Sequence, residues 1–201
     1  MEPYDPFDPL DPAAPKPEAP HSRNTISTGT QAPVTRHTVS VLVQNQPGVL
    51  SRVSGLCSRR GFNIDSLAVG PTQNEDVSRI TLTLQGDAAH IEQLVQQLYK
   101  LIVVQKVIVL DPRRSVERQL VLCKIRAGAA ERDAVMRIVD IFRARIVDVA
   151  RTTLTIELTG EEDKAQAMLG LLADYDILEI VRTGTVALQR GESTIAGGIW
   201  N

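Results

Sequence analysis

Val39, Val41 and Val43 alternate with Ser40, Leu42 and Gln44, the period of two expected of a strand with one face better buried than the other. Val49, Leu50, Val53, Leu56 and Cys57 follow at three- to four-residue spacing, which predicts a helix with a single apolar stripe. Between the two lies Asn45-Gln46-Pro47-Gly48. Asn45 is a cap candidate there, and Pro47 sits where a first helical turn tolerates proline. Gly61 is placed to end the helix in a left-handed conformation.

Residues 62–69 and 78–84 read as strands, with a polar loop over 70–76 between them. Ile91, Leu94, Val95 and Leu98 mark a second helix, and residues 101–110 a last strand. The same order then recurs, with a strand at 117–126, a helix at 131–143, strands at 145–150 and 153–158, a helix at 162–172 and a final strand at 176–188. The repeat shows faintly at an offset of 74, where Ile80-Thr81-Leu82-Thr83-Leu84 lies over Leu154-Thr155-Ile156-Glu157-Leu158. The fold class expected is therefore α+β, two ferredoxin-like βαββαβ domains. Residues 36–111 form one and 115–191 the other, after a tail at 1–35 and before a flexible end at 192–201. At about 75 residues each is marginal alone, so mutual packing or oligomerisation has to supply the rest.

The tail differs in texture. It holds eight of the eleven prolines and repeats an apolar-Asp-Pro triplet, at Tyr4-Asp5-Pro6, Phe7-Asp8-Pro9 and Leu10-Asp11-Pro12. A period of three suits polyproline II, which reads either as a docking motif or as a solvated, disordered segment. The tail carries a charge of −3 and the remaining chain +1, so no global field favours nucleic acid or acidic membranes. Aromatics make up only 3%, and none forms the base-stacking pattern of an RNA-recognition sheet. Cys57 and Cys123 fall on apolar faces and are expected to pack as small hydrophobes. No run of about 18 apolar residues suggests a membrane span. The acidic, proline-rich start lacks the marks of a secretory or transit peptide, which points to a cytoplasmic protein.

Catalytic groups do not converge. His21, His37 and His90 lack metal-ligand spacing, and Asp65, Glu92, Asp140 and Glu157 are scattered over polar positions. There is no phosphate loop, nucleophile elbow or dinucleotide fingerprint. The chain is expected to bind something, not to transform it. A helix opening at Gly48 leaves backbone N–H groups free for a small carboxylate.

Residues 40–53, including Asn45-Gln46-Pro47-Gly48-Val49, and residues 60–72, including Gly61-Phe62-Asn63-Ile64-Asp65-Ser66-Leu67, closely resemble the small, regulatory subunits of acetolactate synthase. Residues 98–104, 116–124, 138–149 and 180–191 continue the resemblance in order, which extends over about 36–191. It implies an N-terminal ACT domain, the amino-acid-sensing module, and a partner: a large catalytic subunit that the small one activates and makes sensitive to valine, or in some members to leucine or isoleucine. Thiamine diphosphate, Mg and FAD are implied on that partner, and no cofactor on this chain. It implies also a homodimer through paired ACT domains, with the amino acid between the first turn of one and the second strand of the other. Carried onto this sequence, Asn45, Gly48 and Val49 match one side of that pocket, and Asn63 and Ile64 the other. Asn45 as a plain cap and Gly48 as a plain turn residue remain the alternative. Gly128-Ala129-Ala130 stands where the second half would need an Asn-x-x-Gly, so one amino-acid site per chain is expected, in the first half. An independent ACT-type sensor controlling another enzyme or a transcription factor is the competing function.

Overall fold

Strand β1 (Thr35–Gln44) is the hub of the first half of a computed structural model that describes residues 34–197. It is followed by α1 (Val49–Arg59), β2 (Ile64–Pro71), β3 (Val77–Gly86), α2 (Ala88–Leu98) and β4 (Val104–Leu110). The sheet is antiparallel in the order β2-β3-β1-β4, with Val41 opposite Ile80 on one side and Val107 on the other. The inward residues of β1 and β3 meet the apolar stripes of the two helices: Val53, Leu56 and Cys57 from α1, and Ile91, Leu94 and Leu98 from α2. Gly61 adopts φ +75 just past α1, as its position in the pattern required.

A single 3-10 turn at Pro112–Arg114 leads into the second half. Its elements are β5 (Ser115–Arg126), α3 (Arg132–Ile141), β6 (Arg145–Val149), β7 (Thr153–Gly160), α4 (Glu162–Leu172), β8 (Ile177–Arg182) and β9 (Val186–Gln189). The sheet order is β6-β7-β5-β8, with β9 also paired to β5. The internal repeat is structural: Ile80, Leu82 and Leu84 of β3, and Leu154, Ile156 and Leu158 of β7, are all buried inward-facing residues beside a central strand.

Several expectations need correction. The final strand expected over 176–188 is two strands. β8 pairs with Val121–Ile125, whereas β9 pairs with Ser115–Arg118, and residues 183–185 between them turn toward the first sheet. β1 is buried on both faces, not mainly one: Thr38, Ser40 and Leu42 are buried too, with Arg79 bonded to Ser40 and residues near the end of the chain packed on Leu42. Within the segment expected to be flexible, Ile195 and Ala196 are buried against Leu42, Val77 and Ile108. The last strand of the first half begins at Val104, since Leu101 accepts a turn hydrogen bond from the Val104 N–H. The apolar-Asp-Pro repeat lies outside the described residues, among which no helix is long and apolar enough to cross a membrane.

Both cysteines are fully buried free thiols, as the apolar pattern required. Burial pushes the Cys123 thiol up to about 11 from an ordinary value of 9.0. Below pH 9.0 folded and unfolded chains both keep the proton; between that pH and about 11 the unfolded chain ionises first. Stability should therefore fall as pH rises through this window, by roughly 2–3 kcal/mol in total. Guanidinium midpoints measured from pH 8 to 11 check this, with Cys123→Ala expected to flatten the dependence relative to the parent chain.

Candidate functional site

The turn from β1 to α1 is tied down by Asn45. Its backbone N–H donates to the Asp76 carbonyl and its side-chain Nδ2 to the Glu75 carbonyl, each at 2.7 Å. Those bonds lace the turn to the β2–β3 loop and leave the Asn45 Oδ1 unbonded as an acceptor among the described residues. Neither Asn45 nor Pro47 holds the helix position expected of it. The N-cap is Gly48, at φ +82 and with no side-chain cap, and α1 begins at Val49. Such a φ disfavours any residue with a Cβ. A Cβ built on Gly48 would meet nothing within 4 Å, so the space over this helix end is open. The Val49 N–H is taken up by the Gln46 carbonyl at 3.4 Å and the Arg52 N–H by the Gly48 carbonyl, which leaves the amides of Leu50 and Ser51 without a partner among the described residues.

The apolar members divide. Val49 is only 5% exposed and is part of the first core, so its side chain faces away from the open turn. Leu50, 43% exposed, is the apolar side chain that the turn presents. At the far end of α1, Asn63 is exposed and its Nδ2 donates to Asp65 Oδ1 at 3.3 Å, which again leaves Oδ1 as an acceptor. Ile64 is half-buried against the core. The 11 residues of α1 separate the two groups, a rise of about 16 Å. One chain thus brings Asn45, Gly48 and Val49 together, and Asn63 with Ile64, but does not close the two sets on one small molecule.

A second constellation forms where the two halves meet, and sequence reasoning did not assemble it. Arg36 of β1 ion-pairs with Glu162 of α4, and its Nη2 donates to Thr185 Oγ1 at 3.2 Å. The Thr185 N–H donates to Ser66 Oγ at 3.3 Å, and Ser66 shares a hydrogen bond with Thr83 at 2.7 Å. Gly184 lies flat against β2, where a Cβ would fall 2.4 Å from the Leu67 carbonyl oxygen. Gln119 precedes the inward series Val121, Cys123 and Ile125 on the same strand face, and it is buried. A polar residue in an apolar alternation was the one signal in the sequence that could have found this seam. Nearby, Arg79 donates from Nε to Ser40 Oγ at 2.7 Å, and burial pulls its guanidinium below the usual value.

Two family models match this chain: an acetolactate synthase small-subunit-like ACT domain over residues 39–106, and the small subunit of acetolactate synthase over 118–191. The "Acetolactate synthase small subunit" of Mycolicibacterium smegmatis is 48% identical over 155 residues, spanning 77% of this chain and 91% of that one. The chain belongs to the acetolactate synthase small-subunit family. A "Probable acetolactate synthase small subunit" of Archaeoglobus fulgidus is 49% identical over 156 residues, covering 78% of this chain and 98% of the relative. The crystal structure of the acetolactate synthase small subunit from Thermotoga maritima superposes with a TM-score of 0.74 at 41% identity, covering 79% and 99% of the two chains. Membership gives the first sheet its name, an ACT domain, and ties the chain to branched-chain amino-acid biosynthesis.

Proposed function

We propose that this chain is the cytoplasmic regulatory subunit of acetolactate synthase. It binds a thiamine-diphosphate-dependent catalytic subunit, raises that subunit's activity, and confers feedback by a branched-chain amino acid, valine first among them. The observation that carries the reading is the identity of nearly half the residues over almost the whole length of relatives named as that subunit. The transferase chemistry resides in the partner, and this chain supplies the sensor.

The effector site is the turn at Asn45–Val49 of one subunit set against Asn63–Ile64 of a second. The free amides of Leu50 and Ser51 take the carboxylate, and the free Oδ1 atoms of Asn45 and Asn63 accept from the ammonium. Leu50 and Ile64 flank the branched side chain, while Val49 contributes backbone because its side chain is in the core. The separation of the two sets along α1 supports a site shared between copies. A site at an interface couples ligand to quaternary arrangement, and so to a partner enzyme. Roughly −4 to −6 kcal/mol of binding suffices for a sensor working near millimolar ligand.

Acetolactate formation by the cognate large subunit, with and without this chain across a valine titration, tests the assignment. The rate should rise on adding this chain and fall again with valine. Asn63→Ala should raise the half-inhibitory valine concentration about tenfold, as losing a hydrogen bond to a charged group does, without abolishing activation. No rate change and no valine effect would overturn the pairing in favour of an independent sensor.

A further inference from the structure

We infer that the seam between the two halves holds a second ligand site, separate from the turn at Gly48, which takes a small hydrophilic carboxylate. A cavity of about 310 Å³ opens there, lined by Asp65, Gln119, Arg182 and Thr185 among others, a size suited to a small molecule. Gln119 is nine-tenths buried, and its Nε2 has no hydrogen-bond partner. Buried donors are nearly always satisfied, so an orphan in a cavity wall marks a place for an acceptor. Arg182, an exposed residue, lines the same cavity and makes no ion pair among the described residues, so its guanidinium is available there. Glu161, the N-cap of α4, makes no side-chain cap bond, and Glu162 of its first turn also lines the cavity.

The charges sort by wall. Gln119 and Arg182 supply donors to a carboxylate. The Glu162 carboxylate is already engaged by Arg36. Asp65, on the β2 wall, accepts only from Asn63 and keeps capacity for an ammonium or hydroxyl. Leu67 is the sole large apolar side chain of the lining, so the cavity suits a polar ligand better than a branched aliphatic one. L-serine, which carries a carboxylate and two donor groups, is the probe of choice.

The test follows the side-chain amide resonances of Gln119 in the full-length, ¹⁵N-labelled protein during an L-serine titration. A saturable shift with its midpoint in the millimolar range is expected. L-serine methyl ester, which lacks the carboxylate, should bind at least about tenfold more weakly, and Arg182→Gln should weaken L-serine by a similar factor. Gln119→Leu, followed through the backbone amides of Thr183 and Thr185 in the same lining, should lose binding while folding no less stably than the parent, since it removes an unpaired polar group. Asn45→Ala, which impairs the turn site, should leave the titration unchanged, so failure of the valine reading and failure of this one are separable. A linear or absent response, an equal response to the ester, or loss of the shift in Asn45→Ala would each overturn the assignment.

Discussion

Leu158→Ala should remove about 2–5 kcal/mol of folding stability, the cost of an unfilled cavity at a fully packed leucine. Leu158 is 1% exposed, on the inward face of β7, within a core that includes Val121, Cys123, Met168 and Leu172. A half-molecule of about 75 residues commands roughly 4–11 kcal/mol, so this loss is a large share of what holds the second half together. Leu82→Ala, at 0% exposure on β3, makes the same cut in the first core. Guanidinium denaturation by circular dichroism gives the size of each loss, and amide hydrogen exchange gives its location. Faster exchange in both halves of either variant would mean that the seam couples them into one folding unit. Exchange confined to the altered half would mean that each unfolds by itself. A loss below 1 kcal/mol would be incompatible with the packing around Leu158.

The βαββαβ order was legible twice over because it rests on local periodicity. Inward β-branched and leucine residues recur every second position along β3 and β7, and the helix stripes return every third or fourth. Gly61 was legible for the same reason, since the end of one helix depends on a few adjacent residues. The break between β8 and β9 was not. Val181, Thr183, Thr185 and Ala187 continue a period of two straight through it, and the interruption comes from a contact 117 residues away in sequence, Gly184 against Leu67. Burial of Ile195 and Ala196 is equally non-local. Among the candidate site residues, Asn45 and Gly48 could be singled out because they stand in the turn that opens a helix, whereas Asn63 and Ile64 rest on the family resemblance alone. Val49 was given two incompatible duties, a place in the helix stripe and a place around a ligand, and its side chain follows the stripe. The seam needed Arg36, Ser66, Gln119 and Thr185 together, and no spacing rule joins residues so far apart.

Gly184→Ala should separate the two halves at that seam. The added Cβ would lie 2.4 Å from the Leu67 carbonyl oxygen, 2.5 Å from its carbonyl carbon and 2.9 Å from the Ala68 nitrogen. All three are backbone atoms of β2, held by the ladder to β3, so no side-chain rotation relieves the clash. The chain around residue 184 has to withdraw, and the hydrogen bonds from the Thr185 N–H to Ser66 and from Arg36 to Thr185 go with it. Overpacking typically costs 1–3 kcal/mol; the rigid partner places this case toward the upper end, a fall of several degrees in Tm. Gly170→Ala is the matched control. Gly170 is exposed on α4 with nothing within 4 Å of a Cβ, so the same substitution there should stabilise by about 0.5–1 kcal/mol through helix propensity. The strand that Gly184 touches begins just after Asn63, at Ile64, so it links the Asn63–Ile64 side of the proposed effector site to the second half. If that contact carries the effector's signal, Gly184→Ala will keep its affinity for valine while valine loses its effect on the partner enzyme. If feedback instead survives at full strength in a variant destabilised as expected, the valine signal leaves the first sheet by a route other than the Gly184 contact.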